Sequence, residues 1–278
     1  MYESYFGLRE RPFALMPDPA YLYPSRHHQM AMTLLEYGLM SEASFCVITG
    51  DIGAGKTTLI RKLLGQVGRN VTVGLITNTH RAFGDLLHWV LTAFNLPVEK
   101  TDKVSMYQTF VDFLIAEYAK NRRTVLIIDE AQNMGPDTLE ELRMLSNVNV
   151  EKHLVLQMIL VGQPGLRDML KRDDLAQFAQ RIAVDYHLAP LSDEETVAYI
   201  RHRIGVAGGP AGLFDESACH AVWRASGGVP RVINILCDMA LVYGFASQTK
   251  KIDHLLIADV VNDKLRGGLF RVPHAGAG

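Results

Sequence analysis

Hydrophobic residues along the chain form short apolar runs that alternate with longer segments of helical periodicity. The runs are rich in β-branched and aliphatic residues, as strands buried on both faces are. They lie at Phe45–Thr49, Val71–Thr77, Val125–Asp129 and Val155–Val161, with a fifth around Ala183–His187. Helical patterns separate them at 56–66, 82–95, 104–121 and 136–146. This alternation predicts an α/β core with a mainly parallel sheet between helices, and ligands at the carboxyl ends of its strands.

The segments on either side of this alternation have different patterns. Residues 1–25 carry prolines among many aromatic residues, which predicts an irregular but packed arm. After Pro190 the strand pattern stops, and Ser192 with Glu195 has the spacing of a capping box at a helix start. Further helices are predicted at 215–226, 230–246 and 252–265. The predicted organisation is an arm at 1–25, the α/β core at 26–190, an all-helical domain at 191–266 and a flexible tail at 267–278.

The composition agrees with a folded protein of two domains. The chain has 278 residues, of which 48% are hydrophobic, so it can bury a sizeable core. Its net charge of -2 gives no overall attraction to nucleic acid or to an anionic bilayer. The three cysteines lack metal-ligand spacing, and no signal peptide or apolar run of about 18 residues occurs. We therefore expect a soluble cytoplasmic protein that reaches a membrane only through a partner.

Residues 50–57 read GDIGAGKT, the pattern of a phosphate-binding loop. The strand-like run FCVIT leads into the loop and the helical segment TTLIRKLL leads out of it, as this loop requires. Its glycines let backbone N–H groups surround phosphate oxygens, Lys56 reaches the β- and γ-phosphates, and the Thr57 hydroxyl binds magnesium. The predicted cofactors are ATP and Mg2+. The predicted nucleotide-binding residues are Gly50, Asp51, Ile52, Gly53, Ala54, Gly55, Lys56, Thr57 and Thr58.

Two acidic residues, Asp129 and Glu130, end the apolar run VLIIDE. Because parallel strands present their carboxyl ends at one edge of a sheet, these acids are predicted on the same side as the phosphate loop. An acid there can bind the shell of the magnesium ion, and its neighbour can orient and deprotonate the attacking water. We assign the first role to Asp129 and the second to Glu130. A pair of solvated acids is the alternative, and hydrolysis is favoured because the phosphate loop is present.

Several segments together resemble the AAA+ ATPases, whose fold is a parallel α/β core followed by a helical lid. The segments VITGDIGAGKTTLIRKLL, LIIDEAQNM, ILVGQPGL, FAQRIAVDYHLAPL and GGVPRVINILCDMAL are similar to those of the bacterial ExeA/GspA-type secretion ATPases. The likeness spans nearly the whole chain. It is greatest to ATPases encoded with exosortase A (PEP-CTERM) and exopolysaccharide clusters, and to the pilus-associated MshM type. The resemblance implies an ATPase that hydrolyses ATP to drive or regulate a bacterial envelope export or assembly system.

The resemblance also implies roles for residues outside the loop and the acids. Gln163 matches the sensor-1 position, where a polar side chain contacts the γ-phosphate and the attacking water; a plain turn residue is the alternative. Arg181 matches the arginine finger that reaches a neighbouring subunit's nucleotide, with Arg172 as the rival and a surface salt bridge as the alternative. Arg231 matches the sensor-2 arginine of the lid, or else pairs with a lid acid. Asn78 resembles the polar residue that holds the catalytic glutamate inactive.

The arm is expected to cover the adenine ring through the residues Tyr23 to His27. The adjacent histidines His27 and His28 invite a metal interpretation, but neighbouring helical residues point apart, so a solvated or capping role is favoured. Tyr186 and His187 lie in a predicted strand and have no acidic partner of the kind that a catalytic triad needs.

An arginine finger acts across an interface, so the resemblance implies a homo-oligomer that forms a nucleotide-dependent ring or filament. ExeA-type relatives join this domain to a transmembrane segment and a peptidoglycan-binding domain, and neither is recognised in this sequence. We therefore expect a cytoplasmic motor or switch that serves envelope export machinery. The alternative is a DNA-binding regulator of the TnsC/TniB type, but acidic residues dilute the basic stripe that it needs. The positive residues concerned are Arg61, Lys62, Arg69, Arg81, Lys120, Arg122 and Arg123.

Overall fold

The computed structural model describes residues 1–16, 18–77, 85–98, 102–150 and 153–268. These residues form two compact units. The sheet unit comprises Met30–Gly50 and Lys62–Leu188, and the helical unit comprises Met1–Gln29, Asp51–Arg61 and the chain from Ala189 onward. The helical unit is therefore assembled from three separate segments of the chain. The predicted switch residue Asn78 lies outside the described residues.

Seven strands are found in the described part of the sheet unit. They are β1 (Phe45–Gly50), β2 (Val71–Ile76), β3 (Arg123–Ile128), β4 (Asn149–Val150), β5 (His153–Leu154), β6 (Leu156–Gly162) and β7 (Ile182–Leu188). Five of them form one parallel sheet in the order β2-β3-β6-β1-β7. The predicted parallel α/β sheet is thus confirmed, whereas the short antiparallel pair of β4 and β5 was not predicted.

Most of the remaining described chain is helical. The helices are α1 (Glu3–Phe6), α2 (Arg26–Met40), α3 (Lys56–Gln66), α4 (Leu86–Ala93), α5 (Lys103–Ala119), α6 (Pro136–Leu145), α7 (Pro164–Leu170), α8 (Ala176–Ala179), α9 (Asp193–Val206), α10 (Glu216–Ser226), α11 (Pro230–Ala246) and α12 (His254–Arg266). The short helices α1, α7 and α8 were not predicted. Within the described ranges, no helix has both the length and the apolar character that crossing a bilayer requires.

The middle strands β1, β3 and β6 are buried along almost their whole length. Their apolar side chains join those of α4, α5 and α6 in one core, which includes Phe45, Phe110 and Leu142. Burial on both faces explains why these strands read as continuous apolar runs. Because β6 lies parallel between β1 and β3, the carboxyl ends of all three strands lie at one edge of the sheet.

In the helical unit, the arm and the helices α9 to α12 share one core. The arm contributes Tyr2, Phe6 and Phe13, each almost fully buried. Arg203 in α9 fastens the arm further, because its guanidinium donates to the Pro12 carbonyl at 2.5 Å and lies 4.7 Å from the centre of the Tyr21 ring. The arm is therefore packed, as its aromatic residues predict. The predicted capping box at the start of α9 is also present.

Candidate nucleotide site

From Asp51 onward the phosphate loop belongs to the helical unit, and it leads directly into α3. The Ala54 N–H donates to the Asp51 carbonyl at 3.1 Å, which closes the turn. The ammonium group of Lys56, the first residue of α3, donates to the same carbonyl at 2.9 Å. Lys56 is only 7% exposed, so its charge is held against the loop rather than extended into solvent.

Two glycines of the loop have backbone conformations that favour glycine. Gly53 has φ 83° and Gly55 has φ 96°, both in the region that L side chains rarely adopt. A Cβ on Gly53 would overlap the Cβ of Arg231, and a Cβ on Gly55 would lie 2.8 Å from Nε2 of His28. The loop therefore requires glycine at both positions, for its conformation and for the close approach of Arg231 and His28.

His28 lies beneath the phosphate loop and is 5% exposed. Its Nε2 is 3.1 Å from the Ala54 carbonyl and its Nδ1 is 2.8 Å from the Ser25 hydroxyl. A carbonyl can only accept, so Nε2 carries the proton and Nδ1 accepts from the hydroxyl. Burial lowers the pKa of His28, which favours this neutral form. The predicted solvated role of His28 is therefore wrong, because a distant segment covers its ring.

Arg231 lies in the first turn of α11, next to the phosphate loop. Its backbone N–H donates to the Gly53 carbonyl at 3.2 Å. The structure thus brings the predicted sensor-2 arginine and the loop together within the helical unit, and its contact with a γ-phosphate stays a prediction. Tyr23 of the predicted adenine cover packs edge-on against Tyr199, with ring centres 6.1 Å apart.

The loop has the properties of a phosphate site. The N–H groups at a helix start lack partners within the helix and carry a partial positive charge, and α3 starts at this point. The loop conformation depends on Gly53 and Gly55, where an added Cβ would meet Arg231 and His28. A buried ammonium group adds a full positive charge. These features fit the anionic phosphates of a nucleotide, and the Thr57 hydroxyl that follows is a suitable oxygen ligand for magnesium.

Asp129 and Glu130 follow β3 at the carboxyl edge of the sheet. The Asp129 N–H extends the strand pairing by donating to the Ile76 carbonyl at 2.8 Å. The Asp129 carboxylate accepts the Glu130 N–H at 2.9 Å and is largely buried. Glu130 has φ 54°, the left-handed conformation, so the chain turns sharply here into a short 3-10 turn at Ala131–Asn133. The backbone therefore fixes the positions of both acids, and the Asp129 carboxylate is not a freely solvated group at a strand end.

The amide of Gln163 meets the carboxylate of Glu130 within the sheet unit. Gln163 follows β6, and its Nε2 donates to Oε2 of Glu130 at 3.1 Å. Gln132 completes the group, because its Nε2 donates to the same Oε2 at 2.5 Å and its Oε1 accepts the Gln163 N–H at 2.9 Å. Gln132 was not among the residues predicted from the sequence. Its position two residues after an acid gives no signal, since the contact depends on the left-handed turn at Glu130.

The two candidate finger arginines have different surroundings. Arg181 donates to the Ser146 hydroxyl at 2.6 Å, at the carboxyl end of α6. Arg172 forms a bidentate pair with Asp174 at 2.9 and 2.8 Å on the surface. The surface salt bridge considered for these arginines is thus found at Arg172. A catalytic role for Arg181 stays a prediction.

Residues 39–170 match the protein family described as AAA domain. This part of the chain is therefore similar to AAA domains. The matched range includes the phosphate loop, the acids Asp129 and Glu130, and the glutamines Gln132 and Gln163. Arg181 and Arg231 lie beyond it.

A curated protein is similar to nearly the whole chain. The chain is 41% identical over 255 residues to General secretion pathway protein A of Aeromonas hydrophila. That alignment covers 91% of this chain and 47% of the relative, so the chain spans about half the relative's length. Closer kinship with exosortase-associated or MshM-type ATPases stays a prediction.

Solved structures support the same fold. The chain is similar to the Aeropyrum pernix ORC2 protein with a TM-score of 0.66 and 16% identity, over 94% of this chain and 75% of that chain. It is also similar to the Thermotoga maritima RuvB Holliday junction branch migration motor, with a TM-score of 0.52 and 15% identity, over 91% of this chain and 72% of that chain. At these identities the likeness concerns the fold alone.

Proposed function

We propose that this chain binds ATP with Mg2+ and hydrolyses it. One observation carries the proposal: β1 ends at Gly50, the first residue of the phosphate loop, and Asp129 and Glu130 directly follow β3, which ends at the same edge of the sheet. Chain connectivity therefore supports a phosphate cradle and a pair of acids at the carboxyl ends of two parallel strands of one sheet, where α/β proteins bind ligands.

Each residue of the site has a defined task in this proposal. Lys56 and the loop N–H groups would bind the phosphates, and Thr57 and Asp129 would hold a magnesium ion. Bound magnesium supplies positive charge that offsets the charge on the phosphate oxygens. Glu130 orients the attacking water and accepts its proton, while Gln163 contacts the γ-phosphate. Arg231 contributes a further positive charge beside the loop.

The variant Glu130→Gln tests the proposal. It keeps the shape of the side chain and one accepting oxygen, but it replaces the carboxylate that would take up the proton with a neutral amide. We expect phosphate release to fall by at least about hundredfold, with ATP binding retained, as general bases contribute about 10²–10⁴-fold. Glu141→Gln is the matched control, because Glu141 pairs with Lys103 on the surface at 3.4 Å. Unchanged turnover in Glu130→Gln, or no ATP binding by the unaltered protein, would contradict the proposal.

We further propose that hydrolysis drives or regulates a bacterial envelope export or assembly system, of the exopolysaccharide-associated or general secretion type. The support is the 41% identity to General secretion pathway protein A. In this proposal the protein works in the cytoplasm and meets the membrane through a partner. Glu130→Gln trapped on ATP is the suitable bait for a pull-down, because a blocked hydrolysis step prolongs the ATP-bound complex. Recovery of transposition or DNA-bound proteins instead of export proteins would favour the DNA-binding alternative.

Arg181 is proposed to act on the nucleotide of a neighbouring copy in a homo-oligomer. Arg181→Ala and Lys56→Ala provide a mixing test. The first variant keeps an intact phosphate loop, and the second keeps an intact finger. Each should be inactive alone, and their mixture should recover part of the ATPase rate if Arg181 acts in trans. A mixture as inactive as its components, with a monomer by size under ATP-analogue conditions, would refute this role.

A further inference from the structure

Gln132 connects the ends of two adjacent strands through a single side chain. Its Oε1 accepts the backbone N–H of Gln163, the first residue after β6, at 2.9 Å. Its Nε2 donates to the Glu130 carboxylate, two residues after the end of β3, at 2.5 Å. The two strands are neighbours in the sheet. One amide group therefore fixes the distance between the proposed base and the backbone that carries the proposed γ-phosphate sensor.

The backbone around Gln132 is shaped to permit this connection. Glu130 adopts φ 54° and ψ 35°, and this left-handed residue starts the 3-10 turn that contains Gln132. A Cβ on Gly162 would lie 3.0 Å from Oε1 of Gln132 and 2.9 Å from Cδ2 of Leu166. Glycine at that position thus leaves room for the glutamine amide. A left-handed non-glycine residue is unfavourable in isolation, so the surrounding contacts must maintain it.

The hydrogen bonds to Glu130 restrict its orientation. Gln132 and Gln163 donate to the same oxygen, Oε2, at 2.5 and 3.1 Å. The lone pairs of a carboxylate oxygen lie in the plane of the carboxylate. Two donors that meet the same oxygen therefore restrict the orientation of that plane. A base whose plane is fixed presents its other oxygen in a constant direction, which a water-activating group needs.

We propose that Gln132 is a positioning residue that aligns the Glu130 carboxylate with the sensor Gln163 for hydrolysis. This inference rests on the proposed ATPase function. Gln132 acts through Glu130 and is not itself assigned a contact with nucleotide. Its removal should therefore slow the chemical step and leave nucleotide binding intact.

Two variants of Gln132 separate its two hydrogen bonds. Gln132→Met has a similar length and loses both bonds. Gln132→Glu keeps an oxygen that accepts the Gln163 N–H, but it loses the donor to Glu130 and places a second carboxylate against the first. If alignment of Glu130 is the task, both variants should lower kcat by about ten- to hundredfold. The KM for ATP should stay within about twofold of the unaltered protein, since a group that acts only at the chemical step changes kcat.

The control is Gln108→Met. Gln108 also donates its amide to a carboxylate, Asp112, at 2.8 Å, but on the exposed side of α5. It should retain the full rate. A double variant with Gln163→Met adds a second readout. If Gln132 and Gln163 act as one unit, the double variant should be no slower than the slower single variant, whereas independent effects would multiply.

The outcomes are distinct. A fall in kcat for both Gln132 variants at constant KM supports the inference. Full activity of Gln132→Glu with loss in Gln132→Met would show that only the bond to the Gln163 backbone matters, and would overturn it, as would an unchanged or increased kcat in both. Gln132→Glu decides the question if Gln132→Met fails to fold. If the unaltered protein and Gln132→Met are both active while Glu130→Gln is inactive, this inference alone is overturned. If the unaltered protein is inactive, the proposed function is overturned as well.

Discussion

Replacement of Gly53 with alanine is expected to weaken ATP binding by about thirtyfold. Gly53 has φ 83°, where a Cβ is strained, and strain of this kind costs about 1–3 kcal/mol. The added methyl group would also overlap Cβ of Arg231 and lie 3.2 Å from its Cδ. In the variant, the loop would therefore relax to a conformation that does not bind phosphate. Recovery of the binding conformation would cost about 2 kcal/mol, which corresponds to about thirtyfold in Kd.

Titration with a fluorescent ATP analogue measures this change directly. Gly65→Ala is the matched control, because Gly65 lies near the end of α3 and a Cβ there meets nothing within 4 Å. Alanine in a helix is favoured over glycine by about 0.5–1 kcal/mol, so the control should bind ATP normally and unfold at a slightly higher temperature. The reasoning is refuted if Gly53→Ala binds the analogue within about threefold of the unaltered protein. It would then follow that the loop tolerates a side chain beside Arg231.

Three further changes probe other contacts. His28→Leu should raise the KM for ATP about tenfold in steady-state assays, because it leaves the buried Ala54 carbonyl without its donor; an unchanged KM would contradict this. Arg203→Met should lower the free energy of unfolding in urea by about 2 kcal/mol and expose the arm to protease, and equal digestion rates would refute it. The hydrogen bond from Arg122 lowers the pKa of Glu117 from 4.5 to about 2. The pair therefore stabilises the fold above pH 4.5, and this contribution is lost as the pH falls toward 2. Glu117→Gln should lower the free energy of unfolding by about 1–2 kcal/mol at pH 7, a range that allows for the partial exposure of Arg122. The free energies of unfolding of the variant and the unaltered protein, measured in urea, should converge near pH 2; a constant difference across pH would oppose this.

Local patterns in the sequence were sufficient for the main elements of the fold. The phosphate loop and α3 follow from residues adjacent in the chain, and so does the capping box that starts α9. The buried strands β1, β3 and β6 were recognisable because burial on both faces leaves continuous apolar runs. Their bounds shifted by only a few residues, as in β3, which begins at Arg123. Helices of about one turn, such as α8, had too little periodicity to be predicted.

Contacts between distant segments could not be predicted from local sequence patterns. His28 reads as an exposed helical residue, and only the approach of the phosphate loop, 26 residues later, buries its ring. Gln132 gains its role from a left-handed backbone at Glu130 and from Gln163, 31 residues further along. Such geometry is set by the strand order of the sheet, which hydrophobic periodicity does not specify. The sequence could therefore predict the residues at the ends of the strands but not the side chain that joins them.

The composition of the helical unit from three separate segments has a consequence for biosynthesis. The arm is translated well before its core partners in α9 to α12. At about 5–20 residues per second, Tyr2, Phe6 and Phe13 stay without these partners for on the order of ten seconds on the ribosome. Exposed aromatic residues on a nascent chain are binding sites for chaperones and starting points for aggregation. Slow translation or depletion of chaperones should therefore lower the yield of folded protein more for this chain than for a chain whose core residues are close together in sequence.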